Sequence, residues 1–123
     1  MFSIIMLLCS LCASDDFLTY PEAYKKFEKS KRPVIIVVTT KSCRHCVTMK
    51  NTIKDIKSEY PEFILCEISA SDADVQFDFI KAERGVPQTF AYVYDNDTNK
   101  TVTLEVIIGA VPKEQVYKTW KMK

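Results

Sequence analysis

The stretch PVIIVVTTKSCRHCVTMK, Pro33 to Lys50, holds two signals back to back. Pro33–Thr40 is a β-branched run bounded by a proline and a polar cluster. Its apolar residues do not alternate with polar ones, which predicts a strand buried on both faces, in the middle of a helix-covered sheet. From Cys46 to Tyr60 the apolar residues Met49, Ile53, Ile56 and Tyr60 recur at helical spacing, and Pro61 stops the run. Cys43 and Cys46 therefore fall where a buried strand hands over to a helix.

Outward from there, Thr19-Tyr20-Pro21-Glu22 reads as a capping box opening a helix that runs to about Lys31, with Pro21 in its first turn. Phe63–Ser69 is a second strand, and Phe17-Leu18 offers a short one at the start. A third helix is predicted over Asp72–Arg84, although Phe77 and Phe79 do not share one stripe; Gly85 ends it. Gln88–Tyr94 and Thr101–Ile108 read as strands joined by the polar turn Asp95–Lys100, a hairpin. Pro112 opens a last helix, with Val116 and Trp120 one turn apart. Strands joined through helices pair in parallel, and the hairpin adds antiparallel strands. The fold class expected is α/β: a mixed sheet of four to five strands, flanked by helices on both faces.

The chain has 123 residues, the size of one domain; 47% are hydrophobic and 27% charged, enough for one core under an ordinary soluble surface. Seventeen basic against sixteen acidic side chains leave a formal +1, which gives no electrostatic reason to expect nucleic acid as a partner. Met1–Ala13 is uncharged and almost wholly apolar, ends in small residues, and is followed by Asp15-Asp16. It reads as a secretory signal peptide over residues 1–14, leaving a single domain over 15–123 with no membrane contact once the leader is cleaved. A short buried helix is the plainer alternative, and 13 residues are too few to cross a bilayer. Cleavage removes Cys9 and Cys12. The three cysteines that remain cannot build a dense disulfide framework, so each needs its own explanation.

The helix amino terminus explains two of them. Its unpaired N–H groups and the positive end of its dipole stabilise a thiolate at Cys43, while Cys46, one turn further in, is expected to be more buried. A lowered pKa makes the first thiol both the attacking group and the better leaving group. Arg44 and His45 add positive charge between the two, which favours dithiol over disulfide and makes the pair more oxidising. Three other readings stand beside this one. A zinc site needs four ligands, with only His45 and Cys66 left to complete it. A structural disulfide over two residues closes too small a loop to stabilise much. His45 could simply be a solvated surface residue. Cys66 reads as a buried small hydrophobe, with a third, resolving thiol as its alternative.

Cys43-Arg44-His45-Cys46 now joins other fragments. Arg84-Gly85-Val86-Pro87, Ile107-Ile108-Gly109-Ala110 ahead of Lys113–Val116, Tyr60 at a helix end and Lys31-Arg32-Pro33 before the central strand follow in order. Together they resemble the thioredoxin superfamily over essentially the whole chain from Asp16 onward. The CxHC form is similar to that of protein disulfide isomerases and the periplasmic disulfide oxidase. The resemblance implies a redox-active disulfide with Cys43 as nucleophile and Cys46 as resolving thiol. It also implies a cis Pro87 facing them, and backbone hydrogen bonds from Val86 to a bound peptide. It implies no organic cofactor and no metal, client proteins held through transient mixed disulfides, a partner that recycles the thiols, and a monomer.

Four positions depart from the pattern: Val37 stands where many members bury an acid, Ser42 replaces an aromatic, Val47 a lysine and Asn51 a proline. Assistance in deprotonating Cys46 is thus missing or comes from elsewhere, and a redox-weak, chaperone-like peptide-binding module is the rival function. Asn96-Asp97-Thr98 and Asn99-Lys100-Thr101 both fit the N-glycosylation pattern in an exposed turn. A simple polar turn explains them equally well; with the leader, the expected setting is the endoplasmic reticulum lumen or secretion.

Overall fold

The structure, a computed structural model, describes residues 17–122. The leader read over residues 1–14 lies outside the described residues. Strand β1 (Phe17–Leu18) leads into helix α1 (Tyr20–Ser30), then β2 (Val34–Thr39), α2 (Arg44–Glu59), β3 (Ile64–Ser69) and α3 (Ala70–Gln76). A 3-10 turn (Ala82–Arg84) precedes β4 (Gln88–Asp95), β5 (Lys100–Thr103), β6 (Ile107–Ile108) and α4 (Lys113–Thr119). The sheet order is β1-β3-β2-β4-β5, with β6 also paired to β4. β1, β3 and β2 run parallel; β4 is antiparallel to β2, β5 and β6. The mixed, helix-covered α/β sheet read from the sequence is present, with six strands among the described residues when the two-residue pieces are counted.

All six residues of β2 are buried, because both faces of the sheet are covered. Val34, Ile36 and Val38 point into a core with Ala23 and Phe27 of α1, Cys66 of β3 and Phe90 of β4. Ile35 and Val37 point the other way, against Met49, Ile53 and Ile56 of α2 and Val116 of α4. A strand with apolar demand on both sides has no polar position to alternate with, which is why its sequence reads as a continuous run.

The cap of α1 is complete: the Glu22 amide donates to the Thr19 hydroxyl at 3.4 Å, and the Thr19 amide returns to the Glu22 carboxylate at 3.2 Å. Lys31 ends the helix in the left-handed region, φ 58°. Arg32 then ties the start of β2 to the end of α2, its guanidinium donating to the Pro61 and Glu62 carbonyls.

Two elements differ from the sequence expectation. The helix expected over Asp72–Arg84 begins earlier, at Ala70, capped by Ser69, and stops at Gln76. Phe77, buried with Ile80, turns to extended backbone, and both the Phe77 ring, at 5.1 Å, and the more exposed Phe79 ring, at 4.9 Å, meet Phe90 edge-on. Residues 77 and 80 would lie on one helical face, but 79 would not, and the aromatic cluster outweighs continued helix. The strand expected over Thr101–Ile108 is interrupted at residues 104–106. There the Glu105 carbonyl accepts from the Trp120 indole N–H at 2.8 Å, pinning α4 to the strand connection.

Ile36 is fully buried at the centre of the sheet, and Ile36→Ala is expected to cost about 2–5 kcal/mol. Thr19→Ala, which removes only the cap, should cost about 1 kcal/mol. Urea unfolding of both variants, with an unchanged slope and a lower midpoint, checks the two values.

Candidate active site

At the end of β2 the chain passes through Thr40–Ser42, with Ser42 in the left-handed region at φ 59°, and enters α2 at Cys43. Cys43 is the N-cap: the Cys46 amide donates to its sulfur at 3.1 Å. Cys43 thus stands at the helix amino terminus read from the sequence, with Cys46 one turn further in and a sulfur in the place of the usual capping oxygen. Cys43 and Cys46 are joined as a disulfide with Cα atoms 5.2 Å apart. Cys43 is half-buried and Cys46 is 3% exposed, so only the first sulfur is open to attack by another protein. Arg44 and His45 are exposed in the first helical turn between them.

The Val86–Pro87 bond is cis. Gln88 pairs with Val38, which sets Pro87 one residue beyond, level with Thr39 at the end of β2 from which the Cys43 loop departs. The two segments thus share one end of the sheet. Pro87 is buried, and its carbonyl accepts from the Gly109 amide at 2.8 Å, a contact made where Gly109 takes φ +91°. Val86 is half-buried. Sequence reading missed Gln88, which is fully buried and whose amide donates to the Lys81 and Gly85 carbonyls at 2.8 Å each. It holds the turn that delivers Val86 and Pro87; a polar residue opening an apolar strand was the available signal.

Asn96 and Asn99 lie in the exposed β4–β5 turn. Because β4 is antiparallel to β2, this turn is at the end of the sheet opposite the cysteines.

Cys66 is set apart from the pair. It packs with Ile36 and Phe90 on the α1 side of the sheet, whereas α2 covers the other side. Burial, and secondarily the charge of Glu67, push its thiol up to about 12. It is a core residue, and neither a resolving thiol nor a zinc ligand beside His45 fits that position. Among the described residues no group of three or more His, Cys, Asp or Glu side chains is arranged to hold a metal ion, and no helix is long and apolar enough to cross a membrane.

Val37, the position of the departing acid, is wholly buried among Met49, Ile53 and Ile56. Its register partner on β3 is Glu67. The Glu67 carboxylate accepts from the Thr39 hydroxyl and from the Lys50 ammonium, each at 2.8 Å. A hollow of about 300 Å³ beside the disulfide is lined by Cys43, Arg44, Cys46, Lys50, Glu67 and Thr39.

The whole arrangement of strands and helices superposes on solved structures over most of the chain. The thioredoxin of Trichomonas vaginalis superposes with a TM-score of 0.63 at 14% identity, over 89% of this chain and 99% of that one. This chain has a thioredoxin fold. The Thermus thermophilus thioredoxin gives 0.61 at 20% identity, over 86% and 85%. That of Fasciola hepatica gives 0.60 at 14%, over 85% and 95%. No family model matches the sequence, and no curated protein does. At such identities the shared property is the thioredoxin fold itself.

After reduction, the half-buried Cys43 is expected to alkylate rapidly at neutral pH. Cys66, with its thiol near 12, should react about a thousandfold or more slowly than an ordinary exposed thiol. Mass spectrometry of pulse-alkylated protein, native and unfolded, checks both.

Proposed function

We propose that the chain is a thiol–disulfide oxidoreductase of the disulfide-donating or isomerising kind, acting through Cys43 and Cys46 on cysteines of client proteins in the secretory pathway. The observation that carries this reading is the Cys46 N–H on the Cys43 sulfur. An amide aimed at that atom, at the positive end of a sixteen-residue helix, stabilises the anion that forms when the disulfide is reduced. The solved structures that share the fold are themselves thioredoxins.

In the donating direction a client thiolate attacks the Cys43 sulfur. The Cys43–Cys46 bond breaks, Cys46 leaves as a thiolate and is protonated, and a mixed disulfide links client to Cys43. A second client thiolate then attacks the client sulfur of that bond, forming the client disulfide and releasing Cys43 as a thiolate. Two electrons pass from client to chain, and a separate redox partner reoxidises the pair. Run backwards, the same steps open a wrong client disulfide. Arg44 and His45, exposed beside the sulfurs, favour the thiolate and with it the dithiol form. Val86 offers backbone hydrogen bonds to the client strand, and Pro87 shapes the surface it lies on. No organic cofactor or metal enters the cycle, and the chain works as a monomer.

The secretory setting is supported by the apolar stretch at residues 1–14 and by two acceptor triplets at Asn96 and Asn99 in an exposed turn remote from the cysteines. Expression in a glycosylating host should add mass at that turn, lost in N96Q/N99Q.

The deciding measurement is the potential of the Cys43–Cys46 couple against glutathione. A value between about −180 and −120 mV is expected; one near about −270 mV would fit a reductase and overturn the donor reading. Cys43→Ser should abolish turnover. A C43S/C46S variant that still supports client folding would instead favour a peptide-binding module.

A further inference from the structure

The sequence leaves open what replaces the missing buried acid, and the hollow beside the disulfide answers it with a pair of charges. Lys50 follows Cys46 by four residues on α2, so the two side chains share a helical face. Its ammonium is fixed two ways, on Glu67 at 2.8 Å and over the Phe17 ring at 5.2 Å from the centroid, and the residue lines the hollow. Glu67 is fixed in turn by the Thr39 hydroxyl at 2.8 Å. The side chains are 28% and 35% exposed, so water screens them only in part. An ion pair this open adds little to stability. What it does do is hold one cation and one anion in a set place in the hollow that both cysteines line.

We infer that Lys50 and Glu67 are opposed charge-positioning residues of the disulfide couple. Lys50 stabilises the thiolates of the reduced pair, and Glu67 limits how much of that charge they feel. The inference rests on the oxidoreductase reading above.

The other charges around the hollow are Arg44 of α2 and, in an adjoining hollow of about 350 Å³, Lys41 of the β2–α2 loop. Glu67 lines both spaces and, among the described residues that line them, is the one carboxylate. His45 is exposed, and Cys66 lies on the far face of the sheet. Burial raises the Glu67 carboxyl, but the Lys50 and Thr39 hydrogen bonds and the Lys50 charge outweigh it, leaving the group below its ordinary value. It stays ionised at neutral pH and is a poor proton acceptor. Its influence on Cys46 is therefore by charge; the thiol's proton passes to water in the hollow.

Opposite signs make the test sharp. The equilibrium with reduced and oxidised glutathione, and the ultraviolet thiolate titration, are measured for the full chain and for K50Q, E67Q and K50R. K50Q should shift the equilibrium toward disulfide by up to about tenfold, or about 30 mV more negative, and raise the thiolate pKa. E67Q, which unmasks Lys50, should shift both the other way by a similar factor. K50R should stay near the parent. Shifts of the same sign in K50Q and E67Q, or an unmoved potential with only lowered melting temperature, overturn the inference while the oxidoreductase reading stands. A parent chain whose cysteines do not exchange with glutathione overturns both. Should E67Q not fold, K50Q and K50R decide alone: a loss in the first that the second does not share supports the cation's role, and equal behaviour overturns it.

Discussion

One hydrogen bond, from the Cys46 amide to the Cys43 sulfur, joins two requirements that proteins usually meet separately. A helix must satisfy its first free amides, and an exchanging cysteine must have its anion stabilised. Here one atom meets the first and, on the proposed reading, the second. The cap can form only because β2, buried on both faces, fixes the point at which the chain leaves the sheet, and because Ser42 takes the left-handed turn that swings Cys43 onto the helix end. The surrounding architecture follows from that point. α2 must lie across the sheet to bury Met49, Ile53 and Ile56, and Cys46, on the same side of the helix, is drawn under cover while Cys43 stays at the rim.

Much of this was legible in the residues because each signal is local. A β-branched run needs no partner to be read as a buried strand, a Thr-x-x-Glu box carries both halves of its hydrogen bonds, and cysteines at a strand-to-helix junction announce the junction's chemistry. The misreadings fall where tertiary contacts overrule local preference. Residues 77–80 could continue a helix, but the ring of Phe90 on a strand ten or more residues away draws Phe77 and Phe79 out of it. The break at residues 104–106 depends on the indole of Trp120, just past α4 and fifteen residues on. Neither partner is visible in the segment itself.

Glu67 shows the same limit at the site. In the sequence it is an acid within Phe63–Ser69, an apolar strand with no stated purpose. Only the register, which sets it beside Val37, and the helical spacing of Lys50 from Cys46 bring it to the disulfide. Its side chain occupies the face on which Leu65 is buried, at the level where the core gives way to the hollow.

A charge placed there has a consequence that a buried acid beneath the cysteines would not have. A carboxylate sealed in the core at position 37 would carry a high proton affinity from desolvation and could take the Cys46 proton itself. Glu67, with two hydrogen bonds and a cation at hand, has lost that affinity. On the inference drawn above, a fixed field stands in the place of a proton acceptor, and the Cys46 proton is released to solvent. On the proposed reading, the pair exchanges at a rate set by the thiolate population that the helix cap and Lys50 maintain. On that reading the sulfurs are tuned by charges that are partly open to solvent, within reach of the charge pattern of an approaching client.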